Sequence, residues 1–308
     1  MSAITKVWML GAVVVAPGDG AEATINQVQG YEPDPGFELL VHTGDGQTDM
    51  AFAAIMQQSP RVGFSTTAVA RALAVSALSG ASLSAGMDIW FQRVAHGGTR
   101  TGGSTSLKLS SAKGLLVPMF VEAAQGGPAT IHYTAVITSA DGTTIPFTAT
   151  ASQALPSFAL ADEVFTVGPA SLNGTAVEGV QSVRVDLGFQ VLTKAGDGHA
   201  YPTFAGIARR QPTISIRTLD VSALASGNFS AAQTATDSVV YLRKLAKNGT
   251  RVGDATAQHV KFTVDDGIFV TRPFGGQDGQ EQMTEILIQP TWDGTNDVVA
   301  INTASAIA

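Results

Sequence analysis

The chain contains nearly the same passage twice. Residues 37–60 read FELLVHTGDGQTDMAFAAIMQQSP, and residues 189–212 read FQVLTKAGDGHAYPTFAGIARRQP. Around these passages, Thr24–Ala70 aligns with Ala176–Ser222 without a gap. An ungapped match of this length indicates an internal repeat, so both passages should fold in the same way.

Shorter matches continue the repeat toward the end of each copy. Gly98-Thr99-Arg100 faces Gly249-Thr250-Arg251, and Asp141-Gly142-Thr143 faces Asp293-Gly294-Thr295. The spacing stays close to half of the 308 residues. We therefore predict a tandem duplication, with a first unit at 1–154, a second unit at 155–308 and a linker at Gln153–Ala161. A period this long indicates two domains and not a solenoid.

Alternating apolar residues predict a mainly β fold in each unit. Arg61–Thr66 and Thr213–Thr218 alternate as half-buried strands do, and Asp-Gly turns separate apolar runs. We predict strands over Ala23–Tyr31 and Phe37–His42 in the first unit, strands over Ala176–Val185 and Phe189–Lys194 in the second, and a closing hairpin in each unit. The predicted hairpins join Thr130–Ser139 to Thr144–Thr150, and Met283–Thr291 to Asp297–Asn302.

Each unit also has a single helix candidate. Thr67–Ser79 is rich in Ala and Leu, and its counterpart begins at Leu219-Asp220. About seven or eight strands and one short helix per unit favour two tandem antiparallel β-sandwich or barrel domains, each with its helix at one end.

Composition excludes several classes of function. The chain has no cysteine, so disulfides, thiolate metal sites and cysteine nucleophiles are absent. Its net charge of −7 and lack of a basic patch argue against gripping nucleic acid through phosphates. We expect Val7–Ala16 to be a strand and not a signal-peptide core, because the repeat gives it a strand counterpart. No apolar run is long enough to span a membrane. Charged residues make up only 14%, which favours a surface covered by partners.

No residue pattern indicates catalysis, and we predict no catalytic, cofactor-binding or metal-binding residue and no enzymatic activity. The Gly-Asp-Gly pairs lack the further carboxylates of a calcium loop, and the acidic group Glu32, Asp34, Asp45 and Asp49 is interpreted as turns and exposed or interface carboxylates. Gly-Thr-Arg is interpreted as a hairpin tip. The aromatic residues Trp90, Phe91 and Tyr241 are assigned to core or interface strands. The histidines show no repeated position: His42, His96, His132, His199 and His259.

The chain resembles the major tail tube proteins of long-tailed bacteriophages, in the minority form with two tail-tube domains fused in one chain. The resemblance rests on the order of strands, on the helix after RVGFSTTAV and PTISIRTLDV, and on the Gly/Ala/Thr/Val-rich composition without cysteine. It implies a four-stranded inner sheet that joins its neighbours into a continuous barrel. Three chains would form a ring with pseudo-sixfold symmetry, and rings would stack into a tube.

This resemblance also implies the partners and the location. The partners are other copies of the chain, the tape measure, tail terminator and distal tail proteins, and DNA that passes through without specific binding; no membrane and no cofactor is implied. The location is the virion tail, after synthesis in the host bacterial cytoplasm. The charge of −7 suggests an acidic lumen that repels phosphates. Ring-to-ring contacts are expected from the loops Gly18–Ala23, Gly44–Met50 or His96–Ser106.

Three other classes of protein stay open. A capsid decoration protein or tail terminator also suits a duplicated β-domain. A DNA sliding clamp is a ring of tandem domains, but clamps line the hole with basic helices, and the helix candidates carry only Arg71 in the first unit and the acidic Asp220 in the second. A glycan-binding or glycan-cleaving β-protein is disfavoured by the aromatic content of 7%.

Overall fold

The computed structural model describes residues 6–15, 22–43, 45, 48–95, 105–156, 163–222, 232–275 and 282–308. Strands dominate, and the strand pairs in the described part of the chain are antiparallel. The prediction of a mainly β fold is therefore confirmed.

The described elements of the first half, in chain order, are β1 (Lys6–Val15), β2 (Ala23–Ile25), β3 (Val28–Asp34), β4 (Phe37–Thr43), β5 (Met50–Gln58), β6 (Arg61–Thr66), α1 (Val69–Ser76), β7 (Ala81–Leu83), β8 (Met87–Ala95), β9 (Ser106–Ser111), β10 (Lys113–Ala124), β11 (Thr130–Thr138) and β12 (Phe147–Gln153). Those of the second half are β13 (Val164–Leu172), β14 (Thr175–Val177), β15 (Val180–Asp186), β16 (Phe189–Lys194), β17 (Phe204–Arg210), β18 (Thr213–Thr218), β19 (Gln233–Thr234), β20 (Ser238–Leu245), β21 (His259–Val264), β22 (Gly267–Gly275), β23 (Gln282–Pro290) and β24 (Ala300–Ser305).

Each half contributes a five-stranded outer sheet. The order is β12-β9-β8-β1-β2 in the first half and β24-β21-β20-β13-β14 in the second. The two orders correspond strand for strand under the alignment of the repeat. The strand order of the first half therefore recurs in the second.

A single ten-stranded sheet runs through both halves. Its order is β19-β22-β23-β18-β15-β10-β11-β6-β3, and β7 also pairs with β10. The first half supplies β3, β6, β7, β10 and β11, and the pairing of β10 with β15 joins the halves. Local alternation in the sequence did not predict this joint, because it identifies strands but not their partners.

The core lies on one face of the ten-stranded sheet. Strand β6 shows the pattern, since Val62, Phe64 and Thr66 are buried and the residues between them are not. One cluster of buried apolar side chains includes residues of both halves. The opposite face of the sheet points away from the core and is called here the outward face. It carries the alternate residues of each strand.

The helix packs on this core but is shorter than predicted. Helix α1 begins at Val69, after Thr66 Oγ1 accepts a hydrogen bond of 3.0 Å from Ala68 N, and it ends before Ala77, whose φ is +49°. Ser76 Oγ and the Tyr133 hydroxyl lie 2.8 Å apart, which ties the helix to β11. In the second half, Leu219–Ser222 forms a turn, and the rest of the expected helix lies outside the described residues.

Two predictions about strands were wrong. The single strand expected over Ala23–Tyr31 is divided into β2 and β3, because Gln27 takes a φ of +52° and turns the chain from the outer sheet to the ten-stranded one. The strand expected over Ala176–Val185 is likewise divided into β14 and β15, which lie in different sheets. The closing hairpins do not form. Strand β11 lies in the ten-stranded sheet while β12 pairs with β9, and β23 and β24 separate in the same way.

The Asp-Gly turns explain the second error. Asp141 Oδ1 accepts hydrogen bonds from Thr143 N at 2.9 Å and from Thr144 N at 2.7 Å. These bonds, the one from Thr144 N first, hold the pKa of Asp141 well below its usual range. The carboxylate thus fixes a local turn that leads from one sheet to the other, instead of a two-residue hairpin.

Two further hairpins lie apart from the three larger sheets. Strand β4 pairs with β5 in the first half, and β16 pairs with β17 in the second. We predicted β4 and β16 as strands but not their partners β5 and β17. Each hairpin follows directly in the chain from a strand of the ten-stranded sheet, β3 in the first half or β15 in the second.

Candidate assembly surface

The joint between the halves, called here the seam, is a short ladder between β10 and β15. Phe120 lies opposite Asp186, Glu122 opposite Arg184, and Ala124 opposite Ser182. On the core side, Val121, Val183 and Val185 are buried. The seam is therefore an edge-to-edge strand pair with an apolar inner side.

The outward side of the seam is polar and paired. Arg184 Nη1 lies 3.1 Å from Glu122 Oε2, and its second amino group lies 3.5 Å from Asp186 Oδ2. The guanidinium carbon of Arg184 sits 3.7 Å from the centroid of the Phe120 ring. These groups are half-exposed, so each ion pair contributes about 0–1 kcal/mol, and their main effect is to fix the partner and the register.

The backbone hydrogen bonds at the two ends of the seam establish which residue pairs are hydrogen-bonded along it. Leu187 N donates to Met119 O at 2.9 Å, and Gln125 N donates to Gln181 O at 2.7 Å. In an antiparallel ladder the bonded pairs alternate, which makes Val121 and Val185 a bonded pair. Their N–H groups therefore point across the seam.

Each seam residue has a counterpart at an open end of the same sheet. The repeat aligns Thr66 with Thr218, and these pair with Ile131 and Thr284 respectively. Following the register one strand further makes Val121 the counterpart of Pro273. Strand β22 thus corresponds to β10, and β3 corresponds to β15.

Both counterpart edges are free in the described part of the chain. Strand β19 covers β22 only at Ile268 and Phe269, as β7 covers β10 only at Gly114–Leu116. The stretch Arg272–Gly275, which corresponds to the part of β10 that forms the seam, has no partner on its outer edge. Strand β3 pairs with β6 alone.

The free edges carry complementary charges. By register, Arg272 and Phe274 of β22 stand where β10 has Phe120 and Glu122. Glu32 and Asp34 of β3 stand where β15 has Arg184 and Asp186. One arginine, one phenylalanine and two carboxylates thus occur at the seam and again at the open edges. At the open edges the arginine is on β22, and β3 is acidic.

Prolines occupy the free edges at the bonded position. Pro33 is the counterpart of Val185, and Pro273 is the counterpart of Val121. A proline has no N–H, so neither edge offers the donor that the seam uses at this position. This placement protects both edges from unspecific strand addition.

Beside the β22 edge, Glu285 is held by two arginines. Its side chain is buried at the outward face, with Arg217 Nε at 3.2 Å and Ser215 Oγ at 3.1 Å from Oε1. Arg272 binds the other oxygen. Burial alone raises the pKa of Glu285, but the hydrogen bonds from Arg272, Ser215 and Arg217 outweigh it, so the pKa lies below its usual value.

We expect Glu285→Gln to reduce the free energy of unfolding at pH 7 by about 1–3 kcal/mol, since two arginines lose their charged acceptor. A lowered folded pKa stabilises above the unfolded pKa of about 4.3, and this stability is lost as pH falls through the folded value. Urea unfolding at pH 7 and at acid pH measures the effect. Glu178→Gln, at an exposed carboxylate, is the control, and an equal acid dependence in both variants would contradict the role of Glu285.

The predicted polar motifs do not converge on one site. Glu32 and Asp34 lie on β3, while Asp45 and Asp49 lie beyond the far end of β4, so the acidic group is not a cluster. Gly249-Thr250-Arg251 forms a turn in which Thr250 N donates to Asn248 Oδ1 at 3.1 Å. Gly98-Thr99-Arg100 and most of the loops expected to join rings lie outside the described residues, as do 157–161 of the linker.

The histidines and aromatic residues occupy structural positions. His259 is buried, with Nδ1 accepting from Lys244 N at 3.0 Å and Nε2 lying 3.2 Å from Gly253 O, so both nitrogens are used by the backbone. His132 stacks on Phe120 at 4.1 Å. Trp90 and Tyr241 are buried in β8 and β20, as predicted for core strands.

The edge residues were missed from the sequence, although a signal was present. Glu32 aligns with Arg184 in the repeat, and this reversal of charge marks a position where the two copies have different neighbours.

Within the described ranges, no group of three or more His, Cys, Asp or Glu residues could hold a metal ion. No helix there is long and apolar enough to cross a membrane.

No protein-family model matches this sequence, and no curated protein is similar to it.

Proposed function

We propose that the chain is a structural protein of a phage tail tube, in which three copies form a ring and rings stack into a conduit for DNA. The observation that carries this proposal is the seam. One edge pair is closed inside the chain, and its two counterparts are open at opposite ends of the same sheet. Joining β22 of one copy to β3 of the next repeats the seam, and repetition closes a ring when the rotation fits.

Charge supports a head-to-tail contact. Across such a contact, Arg272 faces Asp34 of the next copy, with Glu32 on the diagonal, as the seam register requires. Joining two acidic β3 edges places like charges together, which costs several kcal/mol. A heterologous ring is therefore favoured over a symmetric dimer.

The strand number fits a tube of useful width. Each half supplies four long strands to the ten-stranded sheet, and a ring of three copies would contain about 24 such strands. At about 4.8 Å per strand and a tilt of roughly 40°, the backbone diameter is about 48 Å. Side chains on the inner wall then leave a lumen wider than a DNA duplex.

The part of the outward face of the ten-stranded sheet that the β16–β17 hairpin leaves uncovered is proposed as the wall of this lumen. Its strands carry equal numbers of acidic and basic side chains, namely Glu32, Asp34, Glu122, Asp186 and Glu285 against Arg61, Lys113, Arg184, Arg217 and Arg272. An acidic lumen would thus need carboxylates from its rims. Arg184, Arg217 and Arg272 are paired with carboxylates, so this face offers few free cations to hold phosphates.

Negative-stain electron microscopy of the purified protein at low and high concentration tests the proposal. Hollow rings or tubes with threefold or apparent sixfold symmetry are expected. Closed shells or flat sheets would instead favour the alternative, a capsid decoration protein or a tail terminator. Tape measure, tail terminator and distal tail proteins are the proposed partners in the virion.

A further inference from the structure

The hairpin of β4 and β5 exposes an unusual amount of apolar surface. All seven residues of β4 are exposed, and Leu39 and Val41 expose 59% and 46% of their surface. Ile55 of β5, which pairs with Leu39, is 54% exposed. These side chains share one face of the hairpin, because paired residues in a ladder point the same way. Exposed apolar patches of this kind mark interaction sites.

The corresponding hairpin of the second half is partly covered on that face. Phe189, Val191 and Thr193 of β16, the counterparts of Phe37, Leu39 and Val41, are half-buried while the residues between them are exposed. Strand β17 contacts β10 and β11 of the first half. A Cβ placed on Gly80 would lie 3.6 Å from Ile207 Cδ1, so Ile207 touches the first half there, while 37% of its surface stays exposed.

Backbone bonds fix the covered hairpin in place. Ser139 N donates to Pro202 O at 2.8 Å, and Tyr201 N donates to Gly142 O at 3.1 Å. The loop of the second hairpin is thus bonded to the turn that follows β11. The contact is specific in register as well as apolar.

The surface beneath the covered hairpin has an uncovered counterpart. Val117 and Val136 lie on the outward face of β10 and β11 and are fully buried. By register, Val117 corresponds to Val270 and its neighbour Leu115 to Ile268, which expose 37% and 48% of their surface. Trp292, in the turn after β23, is 69% exposed.

We propose that the apolar face of the β4–β5 hairpin binds the β22–β23 surface of a second copy of this chain. The hairpin leaves from β3, at one end of the ten-stranded sheet, and its matching surface lies at the other end. The contact between a hairpin and this sheet surface forms once inside the chain. A second hairpin and a second such surface are therefore left unoccupied, one at each end of the ten-stranded sheet. A second copy supplies what each end lacks.

This inference rests on the proposed function, because it assumes that copies join head to tail. It adds the hairpin contact that holds neighbouring copies together. The edge prolines remove two donors from the ladder between copies. The ladder there is weaker than the seam, so the hairpin must contribute affinity that the backbone does not. Burial of apolar area supplies such affinity without needing edge donors.

Cysteine cross-linking tests the position of the hairpin. Ala232 is the counterpart of Gly80, because β19 pairs with β22 as β7 pairs with β10. Ile55 should therefore lie beside Ala232 of the next copy. The natural chain has no cysteine, so Ile55→Cys with Ala232→Cys introduces only the intended pair. A short bismaleimide reagent should give cross-linked multimers up to a trimer at assembling concentration, and each single variant should give at most dimers.

The outcomes separate the two proposals. Rings without the cross-link between positions 55 and 232 overturn the hairpin contact and leave the ring intact. Cross-linked multimers without rings or tubes support the hairpin contact and count against the tube. Monomers without cross-links at every concentration overturn the contact.

A pair of matched substitutions gives a second test. Leu39→Asp should leave the Tm of the monomer unchanged and raise the concentration needed for assembly at least tenfold. Val191→Asp, at the counterpart position on the half-buried face of the second hairpin, should lower the Tm by several degrees, because that contact is inside the chain. Equal effects on Tm would contradict the proposal.

Discussion

Replacing Glu32 and Asp34 together by lysine is expected to raise the concentration needed for assembly at least about 100-fold. Both side chains are exposed at the free edge of β3, and the seam register places them against Arg272 of the next copy. The substitutions turn two attractive contacts into like-charge contacts, which cost several kcal/mol. Sedimentation velocity over a concentration series measures the change.

The same net charge placed elsewhere is the control for this prediction. Glu178→Lys with Asp265→Lys alters two exposed carboxylates that lie outside β3 and β22, and it should leave assembly nearly unchanged. Raising the salt concentration should partly restore assembly of the edge variant, since salt screens the repulsion between exposed charges. Normal assembly of the edge variant at low salt would rule out the head-to-tail contact through β3.

Replacing Pro33 and Pro273 by valine should lower the concentration needed for assembly about 30-fold. Each substitution restores the residue type and the N–H that the seam has at the corresponding position. Two added backbone hydrogen bonds contribute about 2 kcal/mol to each contact between copies. Light scattering during dilution of assembled protein measures this shift.

Pro156→Val is the matched control for the proline pair, because Pro156 lies outside the strands. Irregular fibres in place of rings would show that the prolines act mainly against unspecific strand addition. An unchanged assembly concentration would mean that the edges of β3 and β22 do not meet between copies.

Strand positions could be predicted from the sequence because alternation is a local signal. Strands β6 and β18 were predicted at the bounds that the structure has. The partner of a strand is not local, and the closing hairpins failed for this reason. Asp141 and Asp293 bind their own following residues and lead the chain to another sheet, and a turn motif does not reveal this destination.

The candidate surface was identified by comparing the two copies of the repeat, and the sequence alone permits only part of this comparison. Leu39, Val41 and Met56 align with Val191, Thr193 and Ala208, so the first hairpin is the more apolar one. This difference indicates different surroundings for the two copies. Only the structure identifies which copy is covered, because burial of Val117 and exposure of Val270 follow from the three-dimensional position of β17.

The continuous sheet also limits the parity of any closed assembly. Since β10 and β15 are joined within one chain, units enter a ring two at a time, and a ring of five or seven units is excluded by covalent connectivity. The internal joint further forms at an effective concentration that dilution does not change, so only every second junction depends on the amount of protein present. The junction inside the chain and the junction between copies can then differ in sequence. The arginine shows such a difference, because it lies on β15 at the seam (Arg184) but on β22 at the open edges (Arg272).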